Sequence, residues 1–194
     1  VRLIKAANYL YMPWKNGAGS TTQIAIYPAD ATTDNFSWRI SMAAVTTDGP
    51  FSGFPEVERS LVVLDGAGID LAFSDGNANG NAERLTHDSE PFTFAADAPA
   101  YATLVDGPIL DLNVMTRRDR FSHRVQRISG PATLKASTAS LVLFAHAVGL
   151  QIDDGAKMTK IEPGETLIFD DGAIVLRITT ENSGDYYLVA LNQI

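Results

Sequence analysis

Apolar residues in this chain recur with period two, or as short β-branched runs, and Gly, Pro, Asn and Asp close each run. That pattern constrains the fold more than any other feature. Successive side chains on a strand point to opposite faces, so alternation buries one face and leaves the other free. Strands are expected near 21–27, 38–45, 58–65, 69–73, 101–105, 109–115, 121–127, 140–146, 150–152, 158–161, 166–170, 173–179 and 186–191. Turn signals separate them: "DGP" at 48–50 and 106–108, "SDGN" at 74–77, "EPGE" at 162–165 and "DDG" at 170–172. The polar stretch 74–85, "SDGNANGNAERL", reads as an exposed hairpin loop. No long segment carries helical periodicity, so the fold class is all-β with little helix.

A weak internal repeat sharpens this. "LVVLDGAGIDL" (61–71) aligns with "LVLFAHAVGLQI" (141–152) after one insertion. A Pro-led strand signal follows each, "EPFTF" (90–94) and "EPGETLIF" (162–169). A long apolar strand then closes each half, "ILDLNVM" (109–115) and "YYLVAL" (186–191). Two similar β units predict a duplicated barrel or sandwich, with a boundary at "RRDRF" and domains 1–117 and 118–194.

Charge and composition exclude several function classes. The formal net charge is −8, against the basic surface that nucleic acid demands. An anionic small molecule stays possible, because a few local arginines can outweigh the global field. With no cysteine there are no disulfides or thiolate metal sites. His87, His123 and His146 are dispersed and form no H-x-H or H-x-x-x-H pair, so no metal or other cofactor is expected. No G-x-S-x-G elbow occurs, and no acid–base pair stands out. The longest nearly apolar run, 141–150, is too short to span a bilayer, and the first residues lack a signal-peptide core. The expectation is a cytoplasmic protein with no membrane or nucleic-acid partner and a possible homodimer.

Four groups of residues could carry chemistry. In "MPWKNGAGSTT" (12–22), Gly17 and Gly19 permit backbone conformations that gather N–H groups onto an oxygen, with Trp14, Lys15 and Asn16 alongside. A tight turn between strands explains the same residues. In "FSWRISMAAV" (36–45), Arg39, Ser41 and Ala43 share one strand face and Trp38, Ile40 and Met42 the other. Arg39 is in solvent if the strand is outermost, and points inward as a carboxylate fork if the strand lines a barrel. In "LDLNVMTRR" (110–118), Asp111, Asn113, Met115 and Arg117 share a face that is either solvated or the wall of a polar pocket. Arg59, beside "SLVVL", poses the same choice.

Three segments together, "MPWKNGAGSTTQIA" (12–25), "FSWRISMAAVTTDGPFSGFPEVERSLVVLDG" (36–66) and "GPILDLNVMTRR" (107–118), resemble the HutD/Ves family in content, order and spacing. Ala18 stands where the family often has a third Gly, and Glu56 where "FPG" is more usual. The resemblance implies a cupin-like double β-barrel (bicupin) and an association with histidine-utilisation genes. It implies binding of a small pathway intermediate, such as urocanate or a formyl- or formimino-glutamate, in a regulatory role. Metal-binding cupins carry a His/His/Glu strand motif that is missing here. On this reading Arg39, Arg59 and Lys15 supply charge-assisted hydrogen bonds to a carboxylate, and Trp14 and Trp38 flank a planar or amide group. Asn16, Gly17, Gly19, Ser41, Asp111 and Asn113 complete the expected ligand-binding set. The favoured expectation is a binding protein with no catalytic residues. The alternative is an isomerase or hydrolase acting on the same acids, with Asp111 as its acid or base.

Overall fold

The structure, a computed structural model, describes residues 1–73 and 82–194. Most of the hairpin loop expected at 74–85 therefore lies outside the described residues. Seventeen strands make up the described chain. The first eleven are β1 (Arg2–Ile4), β2 (Leu10–Pro13), β3 (Gly19–Tyr27), β4 (Trp38–Val45), β5 (Gly49–Pro50), β6 (Val57–Asp65), β7 (Ile69–Phe73), β8 (Glu83–Leu85), β9 (Phe92–Ala95), β10 (Ala100–Leu104) and β11 (Ile109–Arg117). The rest are β12 (Phe121–Ser129), β13 (Ala132–Phe144), β14 (Leu150–Asp153), β15 (Met158–Ile161), β16 (Thr166–Thr180) and β17 (Asp185–Gln193). One 3-10 turn, Ala6–Asn8, is the only helix among the described residues. The fold is all-β, with a nearly closed, barrel-like sheet.

The chain divides into two compact units, Leu10–Arg120 and Phe121–Ile194 together with Val1–Tyr9. The division falls within the "RRDRF" stretch, between Arg120 and Phe121. The first nine residues, expected with the N-terminal half, lie with the other unit. The reason is strand pairing: β1 joins β16 in register Arg2↔Ile168 to Ile4↔Thr166. Arg2 also ion-pairs with Asp170 at 3.0 Å, and the Tyr9 hydroxyl donates to the Gly164 carbonyl at 2.8 Å.

In the Leu10–Arg120 unit a six-stranded antiparallel sheet runs β2-β3-β4-β11-β6-β9, and a four-stranded sheet runs β5-β10-β7-β8. Ala43, Val45, Leu61, Val63 and Ile109 from the first pack with Ile69, Leu71, Leu85, Ala100 and Ala102 from the second. In the other unit the order is β12-β17-β13-β16-β14-β15. The two orders correspond. β4-β11-β6-β9 matches β12-β17-β13-β16, and β7 pairs with β8 as β14 pairs with β15. The long β16 plays the parts of both β9 and β10, since it pairs with β13 and with β14. The segments of the sequence repeat fall on matching strands, β6–β7 on β13–β14 and β11 on β17.

Some strands escape the sequence pattern. β1, β2, β5 and β8 have four residues or fewer, too short for alternation to show. "DDG" at 170–172 does not turn. It lies within β16, where Ser140↔Asp170 and Thr138↔Gly172 are paired with β13, so sheet pairing overrides local turn preference.

Candidate functional site: a polar belt inside the Leu10–Arg120 unit

β11 is the central strand of the six-stranded sheet, between β4 and β6. Its register sets the site. Met115 lies opposite Arg39 on one side and Arg59 on the other, Asn113 opposite Ser41 and Leu61, and Asp111 opposite Ala43 and Val63. All of these point to the face that packs on the four-stranded sheet. Arg39, Ser41, Arg59, Asp111 and Asn113 are consequently buried, Asp111 at 1% exposure and Arg59 at 6%. The solvated alternatives for Arg39, Arg59 and Asp111 fail, because all three side chains are buried on the inner face of the six-stranded sheet.

The belt is incompletely paired. Arg39 Nε donates to Gln23 Oε1 at 2.8 Å, and Asn113 Nδ2 donates to Asp111 Oδ1 at 2.5 Å. Arg59 Nε and Nη1, Asp111 Oδ2 and Asn113 Oδ1 are buried without a hydrogen-bond partner. The Arg59 guanidinium lies over three rings instead, 5.3 Å from the Phe51 and Phe54 centroids and 6.0 Å from Phe94. Cation–π contact compensates part of its lost hydration, but it leaves the N–H donors unsatisfied.

Titration follows from this burial. Desolvation pulls Arg59 down to about 10, with Asp111 pushing it back up and Arg39 pulling it further down. Burial also lowers Arg39. Asp111 is pushed up to about 7 by burial, against the opposing pull of Arg59, the Asn113 amide and the Ala43 backbone N–H. Arg59 thus stands between a carboxylate that ionises reluctantly and a second guanidinium, that of Arg39. The belt carries surplus positive charge in a place sheltered from water.

The glycine loop is the β2–β3 turn. Gly17 N–H donates to the Trp14 carbonyl, Trp14 N–H to the Gly19 carbonyl, and Asn16 Oδ1 accepts from Ala18 N–H at 3.1 Å. Lys15, Asn16 and Gly17 are exposed. Asn16 therefore braces its own loop, and the Gly17 and Ala18 N–H groups are taken up by partners within it. Trp14 is different. Its ring folds against Gly19 and packs with the interior cluster, and its indole Nε1 donates to Thr21 Oγ1 at 2.8 Å.

Of the expected residues, then, Trp14, Arg39, Ser41, Arg59, Asp111 and Asn113 share one interior, and Gly19 seats Trp14. Trp38 does not join them. It lies on the opposite face of β4 at 1% exposure, stacked on Tyr27 at 5.8 Å, and cannot flank a ligand held by Arg39. Arg117 is also excluded. It donates to the carbonyls of Phe36, Pro55 and Asp34 and so ties loops together. Gln23 and the three phenylalanines were missed in the sequence. Gln23 reaches Arg39 past a register shift between Gln23 and Ala25 that alternation does not reveal. Phe51 and Phe54 belong to an irregular loop. Among the described residues no group of three His, Cys, Asp or Glu side chains could hold a metal ion.

The matching unit provides a comparison within the molecule. Its interior is filled by Leu141, Leu143, Leu150, Ile152, Leu176, Ile178 and Leu188, and its buried polar residues are Ser140 and Thr166. Among the described residues the interior cluster of this unit holds no charged side chain, so a closely related strand order packs without a polar belt like that of the other unit.

A family model described as HutD matches residues 6–188. The chain belongs to the HutD family. Relatives within it include Protein Ves of Cronobacter sakazakii, 41% identical over 167 residues, 85% of this chain and 84% of that one. An uncharacterized 21.2 kDa protein in the hutC 3′ region of Pseudomonas putida is 30% identical over 152 residues, 78% of this chain and 77% of that one. Among solved structures, HutD from Pseudomonas fluorescens SBW25 in a formate condition superposes with a TM-score of 0.84 at 29% identity, over 100% of this chain and 98% of that one. A HutD-family frame thus holds the polar belt at the centre of its six-stranded sheet.

Proposed function

We propose that the Leu10–Arg120 unit binds a small anionic metabolite, an intermediate of histidine degradation such as urocanate or a formyl- or formimino-glutamate. Through that ligand the protein moderates histidine utilisation in the cytoplasm. Each unit is, on this reading, a cupin-type barrel, the first open to a ligand and the second closed on itself. The carrying observation is Arg59: a buried guanidinium with two unpartnered N–H donors beside a second buried arginine. Leaving such donors unpaired costs roughly 1–3 kcal/mol, which a carboxylate recovers through charge-assisted bonds. Membership of the HutD family supports the choice of pathway.

Calorimetric titration of the wild type, Arg39→Ala and Arg39→Lys with urocanate and formiminoglutamate tests this. Arg39 contacts a neutral amide in the free protein, so its removal strands no buried carboxylate. A charge-assisted bond of about 1.5–3 kcal/mol corresponds to a loss of roughly ten- to a hundredfold in Arg39→Ala. Arg39→Lys recovers only part, because an ammonium lacks the bidentate fork. Equal affinities in all three proteins would overturn the proposal. One observation favours a second reading, an isomerase or hydrolase on the same acids. Asp111 is held near 7, where it can give or take a proton. Turnover of either acid by the pure protein, lost in Asp111→Asn, would favour that reading.

A further inference from the structure

The unpartnered atoms of the belt are of two kinds. Arg59 Nε and Nη1 can only donate, whereas the Asn113 carbonyl and an ionised Asp111 carboxylate can only accept. No hydrogen bond or ion pair joins the two sets. Asp111 takes the Asn113 amide donor on Oδ1 and a backbone N–H of Ala43, which leaves Asp111 Oδ2 and Asn113 Oδ1 unpartnered. A simple carboxylate would satisfy Arg59 and leave both acceptors stranded. We infer that the ligand brings an N–H or O–H donor together with its anionic group, and that Asp111 and Asn113 are the residues that read that donor. This inference rests on the acid-binding reading above and narrows it to acids that carry a donor.

The placement fits one small molecule. Arg59 shares the register of Met115, and Asn113 is two residues further along the same face of β11, about 7 Å away at the rise of a strand. Arg59 lies among Phe51, Phe54 and Phe94, so the anionic end meets an apolar surround. The opposite end meets two acceptors at the centre of the sheet. A buried acceptor pair also discriminates. An isostere without the donor leaves those atoms unpaired after water has been expelled, a larger penalty than the loss of one bond.

A different arrangement is chemically possible. A protonated Asp111 would donate to the ligand carboxylate, and the ligand would then need no donor of its own. Binding in that case takes up a proton.

Three acids distinguish these cases: urocanate, 3-(pyrrol-2-yl)acrylate, which keeps a ring N–H, and 3-(2-furyl)acrylate, in which a ring oxygen replaces it. They are titrated calorimetrically into the wild type, Asp111→Asn and Asn113→Ser, in two buffers of different ionisation enthalpy. In the wild type the two N–H acids bind about tenfold or more tightly than the furan, the size of one charge-assisted bond. In Asp111→Asn, whose amide can turn a donor toward the ligand, that preference collapses. Asn113→Ser and the wild-type comparison decide the matter if Asp111→Asn fails to fold. Equal affinities for all three acids in the wild type, with or without proton uptake, overturn the donor inference and leave the acid-binding reading standing. A preference that persists in both variants also overturns it. Failure of every acid to bind removes the acid-binding reading and the inference together.

Discussion

Asp111 shows how a single residue couples burial to charge. It sits 1% exposed on β11, with Arg59 facing it from β6, Arg39 beyond on β4 and Asn113 bonded to it. Its folded-state value, about 7, lies above the ordinary carboxylate value near 3.9 that it takes when unfolded. Between those two values the folded protein holds a proton that the unfolded chain has released. Asp111 therefore weakens the fold progressively as pH rises from about 4 to about 7, and adds no further loss above that. Asp111→Asn is blind to this titration. The melting temperature of the variant relative to wild type should climb between pH 4 and 7 and then level off. A difference that is flat across the range would show that Asp111 ionises normally in the folded protein, and one that falls that its folded-state value is lowered.

At the scale of elements, the β2–β3 hairpin answers why Trp, Asn and two glycines stand together. Gly17 and Gly19 have different reasons to be glycine. Gly17 has φ +72 with nothing within 4 Å of a notional Cβ. Gly17→Ala should therefore cost only the left-handed penalty, about 1–2 kcal/mol. At Gly19 a Cβ would lie 2.1 Å from the Ala44 carbonyl oxygen and 3.1 Å from the Trp14 ring. The clash is with backbone, so Gly19→Ala must push β3 from β4 or lift Trp14 off the interior. We expect a loss of roughly 3 kcal/mol, at the upper end of overpacking costs, together with a change in Trp14 fluorescence. Chemical denaturation of both variants measures the contrast, and equal losses would refute this account of Gly19. Similar constraint appears at Glu56, a non-glycine residue with φ 60. Its carbonyl accepts from Arg118 N–H at 2.9 Å, and Arg118 also pairs with Asp97 at 2.5 Å. These contacts hold the turn that follows Phe54.

Across the whole molecule, the division into units does not follow the order of the chain. β1 adds a strand to β16, while residues from Leu10 onward build the other unit. A chain lacking residues 1–5 loses the three pairs between β1 and β16 and the Arg2–Asp170 ion pair. The ion pair is half exposed and contributes little, so the backbone pairing should dominate the effect. Hydrogen exchange should accelerate most at amides of 166–168, with those of β4, β6 and β11 unchanged. Faster exchange spread evenly over Leu10–Arg120 would contradict the assignment of β1.

Much of this protein was legible in its sequence, because alternation and turn residues act locally. The all-β class, the long strands β4, β6, β11 and β17, and the repeat between β6–β7 and β13–β14 all follow from the period of two and from short apolar runs closed by turn residues. So does the sharing of a face by Arg39 with Ser41, and by Asp111 with Asn113. Alternation also separated Trp38 from Arg39. What it could not say was which face of each strand turns inward, because arginine and aspartate on a strand are ordinarily solvated. Only pairing across β4, β11 and β6 decided that Arg39, Arg59 and Asp111 meet in one dry interior. Those partners stand 20 to 72 positions apart in the chain, and no local preference records such a distance. Tertiary structure likewise assigned β1 to β16, turned Lys15 and Asn16 outward, and brought Gln23 and Phe51, Phe54 and Phe94 to the arginines. Each of those outcomes depends on a contact between segments remote in sequence, whose energy exists only once the sheet has formed.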